Sequence, residues 1–464
     1  MKSKIFSTFI LFLLCAIFVQ PVLADGGMWY YEHNNWQLAK ENQQLAAINY
    51  ENGFEKMIIA IDVQELKGER AAWLFPVPAE PQKVAIDVIK GFPQLYGEDI
   101  KSKADSAISS AFLVSVMSQV WPFPVGILFL TGAFRAASGG VPMGAAGYGG
   151  YYQDEVIVYE HVEKHGITTE LVTAKDGHSL RRYYEAKALN MPTEAETIVS
   201  EYVNKDYSFV VSWISNVTQF KQEAQQYQYP DYYYGYPYRQ NPNTLGVSVT
   251  FPTDKMYFPL KPTSVYGSEQ IPILLTVMGH VTPELYPEIQ QAKVNYYSQS
   301  YYSVPADLEY FFNDRTSVGN LAYTTIKVTT PSKYLNDDLW IDNVAPAHVA
   351  LSSGVANNPW VFGAIYFAIN SFLASILAGM LVFRNDVTWK KLGLWGLWNF
   401  LTLIGFSIAT IFMKTKEVDP KLAKRLKDQS VSVWDARKIP YIIVFSIGFL
   451  VISLFMMLVW QAIF

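Results

Sequence analysis

Sulfur chemistry is almost missing from this chain. Its single cysteine among 464 residues is Cys15. That residue lies inside an N-terminal stretch that reads as a secretory signal, so disulfides, thiolate zinc sites and cysteine nucleophiles are excluded from the chain beyond it. Charge is sparse as well, at 17% Asp, Glu, Lys and Arg with a formal net charge of −5. No basic stripe interleaved with aromatics occurs, which excludes nucleic acid as an expected partner. Local signatures of catalysis are lacking too: there is no Gly-x-Ser-x-Gly elbow, no zincin spacing and no phosphate loop. No catalytic, cofactor-binding or metal-ligating set is assigned.

What the chain does have is apolar length at both ends. Lys2 and Lys4 precede Ile5–Val19, Pro21 breaks the run, and Val22-Leu23-Ala24 offers small residues for cleavage before Asp25. Residues 1–24 therefore read as a signal peptide, with an uncleaved signal anchor as the alternative; either one exports the domain beginning at Asp25. At the other end lie Trp360–Phe383, Leu392–Met413 and Ile439–Phe464, each 22–26 residues long with few charges. At ~1.5 Å per residue such runs cross a hydrocarbon core of ~30 Å. The expectation is three transmembrane helices over 360–464, with residues 346–359 as a linker, and the lipid bilayer as the first partner.

Between the ends, strand-like stretches dominate. Leu38, Leu45, Ala47-Ile48 and Met57–Val63 flank the turn signal Asn52-Gly53, and Ala71–Phe75 reads as a buried strand stopped by Pro76-Val77-Pro78. Val156–Tyr159 and Thr169–Thr173 form two strands around a turn at Gly166. Leu180–Leu189 looks helical, and Thr193 with Glu196 spells a capping box for a helix reaching about Asn204. Strands return at Tyr207–Ile214, Gly246–Phe251 and Ile271–Val277. The fold class expected is α+β: a strand-rich exported domain over 25–105 and 151–345, followed by the helical anchor.

These residues resemble a known family. Gln44-Leu45-Ala46 with Ile48 and Gly53, then Trp73-Leu74-Phe75-Pro76-Val77-Pro78 with Pro81, resembles the opening of the bacterial and archaeal domain-of-unknown-function family numbered 2330. The likeness continues through Ala174–Leu180, Tyr202 with Phe209-Val210-Val211, Pro259–Ser264, and Thr324-Thr325 with Pro331, Asp338 and Leu339, covering most of Asp25–Asn343. It implies a secreted or membrane-anchored protein without an established activity, and it supplies no catalytic residues. The long insert after Gly97 and the multi-helix tail depart from the family's pattern.

That insert, 106–150, opens with the apolar run Ser106–Ala133, broken at Trp121-Pro122-Phe123-Pro124, where two prolines remove amide donors. Each half alone is too short to span, so a re-entrant or interfacial hairpin is expected, against a hairpin buried in the exported domain. Ser138–Gly150 reads as a Gly-rich tether. His161 and His165 would share a face if helical, but they miss the zincin spacing and lie in a strand pattern, which leaves surface or structural roles; Asp337, Asp338 and Asp342 miss the calcium-loop pattern, which leaves turn and capping roles.

Candidate contacts lie elsewhere. The loop 227–238 holds seven tyrosines, among them Tyr229, Tyr232, Tyr233, Tyr234 and Tyr236, and Tyr296-Tyr297 with Tyr301-Tyr302 echoes it. Tyrosine offers contact area with a polar tip, suited to protein, glycan or headgroup recognition; a surface insertion without a ligand is the alternative. Trp121 is a further candidate contact. Asn370 and Asn399 are the polar residues of the apolar runs, read as interhelical glue or as the lining of a path.

One conflict stands. Three crossings with an outside domain would put Lys414–Lys438, with eight Lys and Arg, outside and Arg384–Lys391, with three, inside, against the positive-inside rule. The function expected is a non-enzymatic, extracytoplasmic binding or assembly domain at the cell envelope with a membrane or envelope protein partner. The alternatives are a subunit of a membrane transport or export complex, and an envelope hydrolase with a scattered site.

Overall fold

A computed structural model describes residues 27–32, 35–38, 44–61, 70–120, 156–226, 245–383, 389–401 and 433–463. The chain divides into two units: residues 1–97 with 143–345, and residues 98–142 with 346–464.

The first unit begins with strands β1 (Gly27–Glu32), β2 (Asn35–Leu38), β3 (Gln44–Glu51), β4 (Phe54–Ile61), β5 (Arg70–Val77) and β6 (Ala85–Lys90). β7 (Glu98–Asp99) belongs to the second unit. Then come β8 (Val156–Lys164), β9 (Ile167–Ala174), β10 (Ser208–Ile214), β11 (Leu245–Pro252), β12 (Met256–Phe258), β13 (Ile273–Met278), β14 (Thr282–Pro283), β15 (Ala292–Ser303), β16 (Ser317–Val328) and β17 (Leu339–Asp342). One sheet is ordered β2-β1-β5-β10-β9-β8, a second β6-β11-β4-β3-β13-β16-β15, and a small third β12-β17-β14. Among the described strand pairs, β3 with β13 is parallel and the others whose register is given are antiparallel.

Both large sheets are covered on both faces, which explains why their strands read as continuous apolar runs. Side chains alternate along β5: Ala71, Trp73, Phe75 and Val77 enter a central core shared with Ile48, Met57, Ile59, Val247 and Leu275. Ala72 and Leu74 face a second core built with Leu180, Tyr184 and Val199. On the far side of the second sheet, Leu45, Ala47, Ile58 and Ala60 pack against Phe311 and Phe312. Both expected turns form. Asn52 and Gly53 (φ 56° and 80°) close β3 onto β4, and His165 and Gly166 (φ 54° and 78°) close β8 onto β9, as hairpin turns with two positive φ angles require.

Three helices accompany the sheets: α2 (Gly177–Ala186), α3 (Thr193–Ser200) and α4 (Val217–Gln226), while α1 (Ile100–Val120) lies in the second unit. The capping box at Thr193 does not form. Pro192 is the cap residue and Thr193 is already helical, so Glu196 turns to Arg181 at 3.1 Å instead. The expected stop at Pro76 is also displaced. β5 continues to Val77, with Pro76 and Val77 opposite Phe209 and Ser208 of β10. Tyr296, Tyr297, Tyr301 and Tyr302 lie on β15, a twelve-residue strand, and Tyr297 stacks on Tyr323 across the ladder at 5.1 Å.

The second unit holds α1, α5 (Ala347–Asn357), α6 (Pro359–Val382), α7 (Trp389–Gly396) and α8 (Val433–Ile463). Residues 346–359 are thus mostly helix, with Val355 buried against Ala104 and Ile108 of α1. α1 starts six residues before the predicted insert and runs unbroken for 21 residues. It packs within the helical unit, against α5, α6 and α8, and not inside the strand-rich one.

Among the described residues two helical stretches, Pro359–Val382 and Arg437–Ile463, are long and apolar enough to cross a membrane. Of the three spans expected, two are found among the described residues. Phe362 meets Trp460, Phe367 meets Phe449 and Phe383 meets Tyr441, so α6 and α8 are antiparallel. The run Leu392–Met413 is described only to Leu401. Over that part α7 gives way at Gly396 to a 3₁₀ turn, Leu397–Leu401.

Candidate functional site

Asn370 and Asn399 both have 0% exposure, within the second unit. They do not face outward toward partner helices. Asn399 Nδ2 donates to Ser371 Oγ at 3.1 Å, and its Oδ1 accepts from Gln119 Nε2 at 3.0 Å. Gln119 also donates to Ser118 Oγ at 2.9 Å. Three elements, α1, α6 and the 3₁₀ turn after α7, are tied at this point. Close packing makes it geometrically available: a Cβ on Gly396 would lie 2.4 Å from the Ser371 carbonyl, and one on Gly393 2.2 Å from the Phe372 ring.

Asn370 behaves differently. Neither atom of its amide has a hydrogen-bond partner, and the Gln119 Oε1, Ser446 Oγ and Ser453 Oγ atoms are likewise unpartnered. The Tyr366 hydroxyl, one turn away on the same helix, lies close to the Asn370 amide and donates to the Ser453 carbonyl. Asn399 therefore ties three elements together, whereas Asn370 makes no such tie to another element among the described residues.

The outer faces of the same helices are apolar. Ile365, Ile369, Leu373, Leu377 and Leu381 on α6 are 42–64% exposed, and Ile443, Ile447, Val451, Phe455 and Leu458 on α8 are 54–62% exposed. Polar side chains point inward and aliphatic ones outward, the reverse of a water-facing bundle.

In the strand-rich unit the sequence pointed to three aspartates without separating them, and their roles diverge. Asp337 Oδ1 accepts from the Asp338 N–H at 2.8 Å, a local turn role. Asp342 pairs with Lys255 at 2.9 Å. Asp338 is 6% exposed and gathers Tyr202 Oη at 2.9 Å, Tyr257 Oη at 2.9 Å and the Lys261 N–H at 3.0 Å. Burial pushes its carboxyl up to about 6, against the pull of those three donors. At the other end of Tyr257, the wholly buried Glu55 accepts the backbone N–H at 2.7 Å, and burial holds it well above the usual carboxylate range. The tyrosine hydroxyls are driven upward by burial, so they remain neutral donors. The result is a clamp joining β12, β17 and the residues after α3.

The two histidines diverge as well. His161 Nδ1 lies 2.7 Å from Glu170 Oε1, and His165 lies 3.9 Å from Glu223. Among the described residues no group of three or more His, Cys, Asp or Glu is placed to hold a metal. Glu170, with a side chain 5% exposed, also meets Lys187 Nζ at 2.8 Å. That ammonium lies over the Tyr183 and Trp213 rings at 4.9 and 4.8 Å. Lys187 caps α2, so this cluster pins that helix to the sheet; neither Glu170 nor Lys187 was singled out by spacing or motif.

Trp121, Tyr229, Tyr232, Tyr233, Tyr234 and Tyr236, together with the Gly-rich stretch Ser138–Gly150, lie outside the described residues. In comparisons with known proteins, no family model, no curated protein and no solved structure matches this chain.

Proposed function

We propose that this chain is a membrane-anchored, extracytoplasmic binding or assembly protein of the cell envelope, non-enzymatic, in which a helical unit holds a strand-rich domain at the bilayer. The observation that carries the membrane part is the inverted polarity of the second unit: apolar outward faces on α6 and α8 around buried amides and hydroxyls. A hydrocarbon environment makes that arrangement favourable. The resemblance to the 2330 family, whose members are typically secreted or membrane-anchored and without an established activity, fits this reading.

Topology follows from pairing. β5 joins β10, β4 joins β11 and β3 joins β13, so residues before 98 and after 155 share one compartment and the segment between them crosses an even number of times. A re-entrant course fits that requirement. With α6 and α8 as the two crossings, residues 384–438 lie wholly on one side, bringing all eleven Lys and Arg of that stretch together. An outside domain then obeys the positive-inside rule, and the conflict raised by three crossings disappears.

The binding surface proposed is the tyrosine-rich loop. Replacing Tyr232, Tyr233 and Tyr234 together by Ser is expected to leave expression and membrane fractionation unchanged while abolishing photo-crosslinks from a probe at Tyr229 to envelope components. Unaltered crosslinks in that variant would remove the loop from the proposal. A cysteine at Tyr233 in a chain lacking Cys15 should react with an impermeant thiol reagent on intact cells; protection there would place the domain inside.

A further inference from the structure

The two ends of the α6–α8 pair differ in charge. No Asp, Glu, Lys or Arg occurs in 343–383 or in 439–464, so the end where Phe362 meets Trp460 carries none on either helix. Charge gathers at the other end. Residues 384–438 hold eleven Lys and Arg against five Asp and Glu, a net of +6 in a chain whose total is −5.

Packing brings the described part of that charge around the end of α6. Arg437 Nη1 donates to the Val382 carbonyl at 3.2 Å, capping a helix C-terminus that carries partial negative charge. Lys438 follows it, just before the apolar run of α8. From the α7 side, Lys391 Nζ lies 5.1 Å from the Trp395 ring centre, Trp395 meets Tyr441 at 6.4 Å, and Tyr441 meets Phe383 at 5.3 Å. Lys390 and Lys391 are exposed and stand in the first turn of α7, which has no acidic residue. Cations at a helix N-terminus oppose its dipole, so this turn gains from an anion beside it. Apolar surface borders the same cations: Leu381 on α6, Leu394 on α7 and Ile439 on α8 are 63–66% exposed.

We infer that this end of the helical unit binds an anionic phospholipid, with its phosphate at Lys390, Lys391 and Lys438 and its acyl chains along Leu381, Leu394 and Ile439. A basic rim beside exposed aliphatic surface matches a molecule that is anionic at one end and hydrocarbon at the other. A soluble phosphate would use the rim alone, and a zwitterionic lipid brings no net charge to it. All three lysines and Arg437 also engage the protein. An ammonium has three donors, so a phosphate adds to those contacts without replacing them.

This inference rests on the membrane placement proposed above, and the two fail separately. A full chain that does not enter lipid nanodiscs counts against the placement before lipid composition is varied. Thermal unfolding of the full chain is then compared in nanodiscs of phosphatidylcholine alone and of phosphatidylcholine with phosphatidylglycerol, at equal salt. A higher Tm with phosphatidylglycerol is expected, diminished by added NaCl and reduced several-fold in the triple variant Lys390→Ser, Lys391→Ser, Lys438→Ser. Arginine at the same three positions keeps the charge and should keep the shift, which guards against a Ser variant that does not fold. Equal Tm in the two lipids, a shift unchanged in the Ser variant, or a shift lost in the Arg variant would overturn the site. The same rise from soluble glycerol phosphate added to phosphatidylcholine nanodiscs would overturn the lipid as its occupant.

Discussion

Asp338 shows how far one side chain's role escapes its local sequence. It stands beside Asp337 in a short acidic stretch, yet only Asp338 is enclosed by Tyr202 and Tyr257. Its carboxyl is moved from the ordinary 3.8 to about 6, so the native state holds a proton that the unfolded chain has already released. Stability is greatest below the unfolded value and is lost as pH rises through the native one. At roughly 1.36 kcal/mol per pKa unit the ionised form costs about 3 kcal/mol. Asp338→Asn should flatten the fall in unfolding midpoint between about pH 4 and 6.5 relative to the parent chain, read by intrinsic fluorescence across that range. A parallel pH profile in the variant would mean that Asp338 does not titrate there. Asn370 and Asn399 carry the same lesson: both were visible as polar residues in apolar runs, but only the packing separates the bonded amide from the orphaned one.

Elements were legible where pattern and turn chemistry agree. Asn52-Gly53 and the turn at Gly166 were readable because two-residue hairpins demand positive φ, which few residues adopt at low cost. The long β15–β16 hairpin was not readable, since Ala292–Ser303 is polar on much of its surface and lacks a clean apolar alternation. α7 was hidden inside an apolar run long enough to span. Over the described part of that run, Gly393 and Gly396 bring the chain into close contact with α6, which hydropathy does not register. Gly396→Ala would place a Cβ 2.4 Å from the Ser371 carbonyl, and overpacking of this kind costs about 1–3 kcal/mol. The variant should unfold at a lower temperature and weaken the tie between Asn399 and Ser371. A Tm equal to the parent's in nanodiscs would show that α7 can shift without loss.

At the scale of the whole molecule, the proposed topology rests on helix direction. Hydropathy counts three apolar runs, whereas α6 and α8 run antiparallel, and the proposal takes these two as the crossings. A cysteine at Gln429 in a chain lacking Cys15 should therefore stay protected from an impermeant reagent until cells are opened, while one at Tyr233 reacts at once. Labelling of both on intact cells would restore the odd crossing and contradict the antiparallel pair.

By itself the sequence determined composition-level facts: no cysteine after Cys15, strands dense between the ends, apolar length in the tail, and prolines at 122 and 124 in the middle of an apolar run. Those are local properties, set by residue type and short spacing. Only the tertiary structure decided that both large sheets share one core, that α1 joins the helical unit, that α6 and α8 run in opposite directions, and that Gln119 meets Asn399 across 280 residues of chain. Such outcomes depend on which distant surfaces exclude solvent from one another, and no window of neighbouring residues encodes that choice.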